Sequence, residues 1–380
     1  MSLLQPSVFD IECMSRALQL ARQGLYTTHP NPRVGCVLAA DGQLVAEGWH
    51  QRAGEGHAEV NALAAAGDSA QGATAYVTLE PCSHVGRTGP CCEALVKAGV
   101  SRVWIAMQDP NPQVSGRGME RLRAAGIEVV CGLLESQARA LNPGFIKRME
   151  QGQPFVRCKL AMSLDGRTAM ASGESQWITG ADARGDVQRL RARSSAIVSG
   201  VESILQDDAS LTVRPDELGL ENAREICRRQ PLRVVLDSQL RTPPKAKVLQ
   251  GEGATLLVCT LAADRQRRAA LEAAGAEVIC LAADDGRLDL KALMEELARR
   301  ECNELLLETG ATLAGSALSA GIIDELVVYM APVLMGSEAR PLLSLPIASM
   351  SNSQPLSITD VRAVGRDWRI TATPTGLAKE

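Results

Sequence analysis

The sequence predicts two consecutive α/β domains, residues 1–150 and 151–380. Three observations predict them. The chain has 380 residues, and a domain holds roughly 100–200. Apolar strand-like runs alternate with helix-like runs along its length, the pattern of a layered α/β sandwich. A polar segment with Gly and Pro, NPGFIKRMEQGQP (142–154), precedes a fresh strand-like run and marks the boundary.

In the first domain, residues 8–24 carry apolar side chains at helical spacing (Phe9, Met14, Leu18, Ala21). VGCVLAA and QLVAEGW (34–49) flank Asp41-Gly42 and predict a β-hairpin. HAEVNALAAAG (57–67) predicts a helix ended by Gly67, followed by strand 73–80, helix 91–99 and strand 102–107. A helix–strand pair over 118–131 and a helix near 135–149 complete the domain.

The second domain opens with the strand FVRCKLAMS and a long polar loop, 163–179. Helices are expected at 183–193, 264–274, 289–300 and 311–320. Strands are expected at AIVSG, LRVVLDS, ATLLVCT, EVICLA, ELLLETG and ELVVYMAPVLMG, with two β-like runs at 356–364 and 367–373. The charged stretch 215–230 is expected to be a surface loop or short helix.

Composition narrows the function. Apolar residues make up 46 % and aromatics only 3 %, so aliphatic side chains fill the cores. A net charge of −4 argues against a nucleic-acid partner. No apolar run approaches the ~20 residues of a membrane span. The N-terminal stretch MSLLQPSVFDIEC lacks the pattern of a signal peptide, so a cytoplasmic location is expected. Eleven cysteines in this length are not a disulfide scaffold. Cys36, Cys131, Cys259 and Cys280 lie in apolar runs and are expected to be small buried hydrophobes. Cys82, Cys91 and Cys92 lie in a polar stretch instead.

The strongest motif is His57-Ala58-Glu59, then Pro81-Cys82, then Cys91. One His and two Cys supply the three ligands of a catalytic zinc, leaving the fourth position open for water. His57 and Cys91 each open a helix, and a helix N-terminus favours a thiolate. Glu59 points away from His57 on the helix, so it reads as the proton carrier for a water whose pKa zinc lowers to about 7. The pattern is the zinc-deaminase signature, except that eight residues rather than two separate Cys82 from Cys91. A structural zinc closed by Cys92 or His84 is the alternative for this motif.

The resemblance then becomes specific. THPNPRVGCV (28–37), HAEVNAL, TLEPCSHVGRTGPCCEAL (78–95) and MQDPNPQVSGRG (107–118) resemble the deaminase half of the bifunctional riboflavin-biosynthesis family, RibD, in which a long loop between the cysteines is normal. KLAMSLDGRTAMASGESQWIT, DVQRLRARSSAI, DDASLTVR, VVLDS and ETGATLAGSAL resemble its reductase half. The resemblance covers nearly the whole chain. It implies a cytidine-deaminase-like three-layer α/β/α domain followed by a dihydrofolate-reductase-like α/β domain.

It also implies one zinc per chain on His57, Cys82 and Cys91, Glu59 in proton transfer, and Asn31 against the pyrimidine. NADPH would be lined by Ala161, Ser175, Trp177, Ser203, Asp207, Ser238 and the loop Gly310, Ala311, Thr312, Leu313, Ala314, Gly315 and Ser316. Lys159, Arg191, Leu211, Arg214 and Glu308 would face the substrate. Independently of the family, a strand running into small residues at a helix start suits a phosphate, and arginine forks suit a sugar phosphate. Ala209-Ser210 departs from the family's usual Pro-Ala after the two aspartates, which loosens that loop but removes no functional group. The implied function is deamination of a phosphoribosylaminopyrimidine followed by NADPH-dependent reduction of its ribosyl group, in a homo-oligomer. A nucleic-acid base deaminase with a C-terminal binding module and a zinc-stabilised scaffold are the rival readings.

Overall fold

The structure, a computed structural model, describes residues 5–83, 89–174, 177–284 and 286–375. The chain divides into two compact units, Met1–Gly152 and Gln153–Glu380.

In the first unit α1 (Val8–Arg22) is started by a capping box: the Ser7 hydroxyl accepts from Asp10 N–H, and the Asp10 carboxylate accepts from Ser7 N–H. β1 (Gly35–Ala40) and β2 (Gln43–Trp49) form the expected hairpin. Asp41 and Gly42 take φ 51° and 74°, the two positive angles such a turn requires. There follow α2 (Ala58–Ala66), β3 (Thr74–Val77), α3 (Cys91–Ala98), β4 (Arg102–Ile105), α4 (Arg117–Ala124), β5 (Glu128–Cys131), α5 (Glu135–Leu141) and α6 (Pro143–Gln151). The one helix expected near 135–149 is two, because Pro143 has no N–H to continue α5 and instead opens α6.

The five strands order as β2-β1-β3-β4-β5, antiparallel at the hairpin and parallel from β3 to β5. Period-2 alternation splits their side chains between two cores. Val37, Ala39, Tyr76 and Trp104 pack with α1, α5 and α6. Cys36, Leu38, Val77 and Ile105 pack with α2, α3 and α4. Cys131 departs from expectation: it ends the edge strand β5 and is exposed.

The second unit opens with β6 (Phe155–Ser163) and β7 (Arg167–Ala169), then α7 (Ala181–Arg193), β8 (Ala196–Gly200) and α8 (Val201–Asp207). The charged stretch holds two single turns, α9 (Pro215–Leu218) and α10 (Ala223–Ile226). β9 (Leu232–Leu236), β10 (Thr255–Thr260), α11 (Arg265–Ala273) and β11 (Glu277–Leu281) lead to a small hairpin, β12 (Ala283–Asp284) and β13 (Arg287–Leu288). Then come α12 (Leu290–Arg299), β14 (Glu304–Glu308), α13 (Ala311–Ser319), β15 (Glu325–Ala331), β16 (Arg340–Pro341), β17 (Leu356–Val364) and β18 (Asp367–Pro374).

Nine strands form one sheet in the order β11-β10-β9-β8-β14-β6-β15-β18-β17. The first seven are parallel and the C-terminal hairpin is antiparallel. One face packs Val156, Val198, Val234 and Leu305 with α12 and α13. The other packs Ile197, Val235, Leu306 and Tyr329 with α7, α8 and α11. The loop after β6 is not wholly irregular, since β7 pairs with the distant β16.

In the first unit, helix α2 docks on β2 at Gly48, where a Cβ would lie 2.4 Å from Ala62 N and 2.5 Å from Ala58 O. Gly48→Ala must therefore push α2 outward. Overpacking of this kind costs about 1–3 kcal/mol, or roughly 2–4 °C in Tm per kcal/mol for a unit of this size. Thermal unfolding of G48A should show that drop, with zinc content falling as α2 shifts; an unchanged melt would contradict the close docking.

Candidate active sites

Two loops and two helix starts build the first site. His57 is the N-cap of α2, and Cys91 is the first residue of α3, behind Pro90. Cys82 follows Pro81 after β3. The His57, Cys82 and Cys91 ligand atoms all lie within 4.8 Å of one another. His57 Nδ1 is 3.2 Å from Cys91 Sγ and 3.6 Å from Cys82 Sγ. Tetrahedral zinc with ordinary Zn–S and Zn–N bonds sets such atoms about 3.5–3.8 Å apart, so the donor set fits the metal. Cys92 is turned into the core with Leu95 and Val103, which removes it as a fourth ligand. His84, the other fourth-ligand alternative, lies outside the described residues.

Electrostatics in this pocket are those of too many acids in too little water. Glu59 is only 3 % exposed. Burial, then the neighbouring Cys82 charge, pushes its carboxyl up to about 7. Cys82 is held well below the usual thiol range by hydrogen bonding from Cys91, with His57 adding to it, while Cys91 is raised by that same hydrogen bond and by burial. His57 is raised by Cys82. One thiolate therefore excludes the other unless a cation joins them.

Around the site stand Asn31, which the sequence pointed to, and His50, Glu80 and Asp109, which sequence reasoning missed. Asn31 Nδ2 lies 3.1 Å from His50 Nε2, and the His50 ring stands edge-on to His57 at 5.3 Å. Glu80, buried beside Pro81-Cys82, accepts four backbone N–H bonds: Asp109 at 3.2 Å, Gly116 at 3.0 Å, Gly118 at 2.9 Å and Met119 at 3.2 Å. It ties the 109–119 loop to the cysteine segment. In that loop burial pushes Asp109 up to about 7. A second histidine seven residues before His57 was the one signal available for His50.

The second site is a cleft of about 1000 Å³ along the C-terminal ends of β6, β8, β9 and β14, where parallel sheets bind ligands. Of the residues implied for NADPH, it is lined by Ala161, Trp177, Ser203, Asp207, Ser238, Gly310, Ala311, Thr312, Leu313 and Ser316; of those for substrate, by Lys159, Arg191, Leu211, Arg214 and Glu308. Ser175 lies outside the described residues. Ala314 and Gly315 are not among the lining residues. Ala314 is fully buried in the core, and a Cβ on Gly315 would strike Ser344 O at 2.1 Å. They sit past the first residues of α13, where the helical turn carries them away from the cleft.

Glu308 and Lys159 are direct partners across β14 and β6. Arg191, from α7, forks Glu308 through Nε at 2.6 Å and one terminal nitrogen at 2.8 Å, and gives the other terminal nitrogen to Thr212 O at 2.9 Å. Two of its five donors remain for a ligand, so much of its fork serves Glu308. Burial works to raise Glu308, but Arg191 and Lys159 outweigh it and the carboxyl is lowered. Burial lowers Lys159 against the pull of Glu308. Asp208, the left-handed C-cap of α8, and Leu211, in the loop that follows, take φ 44° and 51° and both line the cleft. Trp177 is 66 % exposed at the rim, with the Arg184 guanidinium 4.8 Å above its ring.

Two family models match. Residues 8–107 match the cytidine and deoxycytidylate deaminase zinc-binding region, and residues 154–369 match the RibD C-terminal domain. Fold and sites thus define a zinc-dependent deaminase fused to a reductase. The sequence is 51 % identical to Escherichia coli K12 riboflavin biosynthesis protein RibD, covering 93 % of this chain and 96 % of that one. It is 49 % identical to the Haemophilus influenzae protein of that name, over 99 % and 100 %. The Acinetobacter baumannii RibD structure, form 1, aligns with a TM-score of 0.90 at 45 % identity, covering 97 % of this chain and 99 % of that one. A Thermotoga maritima diaminohydroxyphosphoribosylaminopyrimidine deaminase/5-amino-6-(5-phosphoribosylamino)uracil reductase aligns with a TM-score of 0.82 at 30 % identity, over 96 % and 99 %. The chain belongs to the RibD family, the bifunctional deaminase–reductases of riboflavin biosynthesis, which work with zinc and NADPH.

The two neighbouring cysteines separate ligand from core. Cys91→Ser should drop the zinc content of purified protein well below one per chain. Cys92→Ser should keep the metal and instead lower the melting temperature. Equal zinc in both variants, by elemental analysis, would overturn the ligand assignment.

Proposed function

We propose that residues 1–150 deaminate 2,5-diamino-6-(5-phosphoribosylamino)pyrimidin-4-one to 5-amino-6-(5-phosphoribosylamino)uracil, and that residues 151–380 reduce the ribosyl group of that product to ribityl. The carrying observation is the convergence of His57, Cys82 and Cys91 on one point with Glu59 buried beside them. The Thermotoga maritima neighbour, a deaminase of this diaminopyrimidine and reductase of the uracil product, supports the substrate assignment.

His57 and the sulfurs of Cys82 and Cys91 would hold the zinc, which when bound would supply a Lewis acid that brings a water's pKa to about 7. Glu59, poised near neutrality, takes a proton from the attacking water. It then delivers protons to the ring nitrogen and to departing ammonia, while water adds to the carbon bearing the 2-amino group. Asn31, beside His50, orients the pyrimidine.

In the second unit NADPH, when bound, would supply the hydride for C1′ of the opened ribose. Free N–H groups at the start of α13 would receive its pyrophosphate. Lys159, weakened as a base by burial, is the best placed of the acids considered, ahead of Asp207 and Glu308, to protonate the oxygen. Arg191 fixes Glu308 and offers its remaining donors, with Arg214, to the ribose 5-phosphate. A homo-oligomer is supported by β17, an edge strand exposed along its length with Ile358 64 % and Val361 52 % exposed. No helix among the described residues is long and apolar enough to cross a membrane, and we place the enzyme in the cytoplasm.

Glu59→Gln should cut deamination by at least the 10²–10⁴-fold typical of general acid–base catalysis, keep its zinc, and leave reduction of the deaminated intermediate intact. Near-normal deamination by zinc-replete E59Q would remove Glu59 from the chemistry. Arg191→Ala removes charge-assisted bonds worth about 1.5–3 kcal/mol, roughly ten- to a hundredfold. Its KM for the sugar-phosphate intermediate should rise on that scale and its KM for NADPH little. Steady-state kinetics with each substrate varied in turn decides this, and a change confined to NADPH would invert the division of the cleft.

A further inference from the structure

We propose that Arg287 makes the reductase select NADPH over NADH, by pairing its guanidinium with the 2′-phosphate on the adenosine ribose beside Ser238. This rests on the cofactor assignment above and extends it to a residue that neither motif contains.

Most of the cations that line the cleft are already committed. Lys159 and Arg191 serve Glu308. Arg184 lies over Trp177. Arg214 pairs with Glu217 at 2.6 Å, and Lys247 with Asp208 at 3.4 Å. The remaining two, Arg287 and Arg340, form no ion pair with any described residue. Arg340 lies on β16 against β7 and Gly173, on the side of the loop that follows β6.

Arg287 lies on the other side. It starts β13, in a hairpin loop closed by Asp289 N–H donating to Ala282 O at 3.1 Å. Asp289 then caps α12 through Lys291 and Ala292 N–H. Leu290, the first residue of α12, shares one small apolar cavity with Leu236, the last residue of β9, and with Leu313 of α13. Leu236, Leu288, Leu290 and Leu313 also line the main cleft. Three residues before Leu290 is Arg287, and two residues after Leu236 is Ser238. Both therefore flank this leucine shelf, and both line the cleft.

The chemistry of a dinucleotide maps onto this order. The start of α13 takes the pyrophosphate, and the chain leaves it over Leu313. Adenine suits the leucine shelf. The ribose edge then meets Ser238 and Arg287, a hydroxyl and a guanidinium, the groups that complement a phosphate dianion. Sites that prefer NADH place a carboxylate on the 2′-hydroxyl. The acid at this strand end, Asp237, cannot do so: it is fully buried and accepts from Thr242 N–H and Oγ, each at 2.7 Å. Of the other cleft acids, Glu202 is bound to Arg241, Asp208 to Lys247 and Glu308 to Arg191, and Asp207 lies at the end of α8.

The test is equilibrium binding to the full-length protein, without pyrimidine, of NADPH, NADH and 2′,5′-ADP by calorimetry. Wild type should bind NADPH well above NADH. Arg287→Ala should lose about ten- to a hundredfold on NADPH and on 2′,5′-ADP, keep its NADH affinity, and lose most of the salt dependence of NADPH binding. Arg287→Lys should recover part of the loss, and Arg340→Ala should keep the wild-type preference. If R287A discriminates as well as wild type, or loses NADH in equal measure, the assignment is wrong while the cofactor reading stands. If wild type binds neither dinucleotide, the cofactor reading fails and this proposal with it.

Discussion

Two thiols, an imidazole and a carboxylate crowd together in the first unit, and no Lys or Arg among the described residues is paired with them. That is an unstable set of charges. One thiolate raises the pKa of the next thiol, and burial holds Glu59 near neutrality. A divalent cation resolves the conflict, because each sulfur can then ionise against it. The surrounding structure serves this arrangement. Gly48 lets α2 sit close enough to present His57, and the helix start at Cys91 donates its N–H to Cys82 Sγ at 3.3 Å. Glu80 gathers four amides and so ties the cysteine segment to the 109–119 loop.

The second unit solves a related problem differently. Lys159, Glu308 and Arg191 are all largely removed from water, yet they compensate one another within the chain. No metal is needed there. The open ends of the parallel strands and the free amides of α13 leave room for a large anionic cofactor, which supplies the redox chemistry. Hydrolysis and reduction are thus divided between a pocket completed by a cation and a cleft completed by a dinucleotide.

Features that depend on near neighbours were legible in the sequence. The Asp41-Gly42 hairpin, the strand–helix alternation and the helix starts at His57 and Cys91 all follow from local rules. The candidate zinc ligands each lie in a short motif, Cys91 being preferred over Cys92 because it follows a proline as Cys82 does, and the fold brings His57, Cys82 and Cys91 within 4.8 Å of one another. Long-range pairing was not readable. β7 meets β16 across more than half of the second unit, and Glu80 reaches amides far along the chain. Helix α8 escaped notice because VESILQD is short and polar. The run 310–316 looked like a continuous cradle of small residues, but only a helix's first residues have free N–H groups. Beyond them, helical rotation turned Ala314 and Gly315 into packing. Arg191 read as a phosphate fork because its partner, Glu308, is 117 residues away.

The central claim, an open three-ligand zinc built from this pocket, is most directly tested by X-ray absorption at the zinc edge of the full-length protein as purified. The account predicts one zinc per chain with two sulfurs at about 2.3 Å and two lighter ligands, one imidazole nitrogen and one oxygen, near 2.0–2.1 Å. A shell with three sulfurs, or with four protein donors and no oxygen, would contradict it, because the metal would then be a closed structural ion with no position left for the water that Glu59 deprotonates.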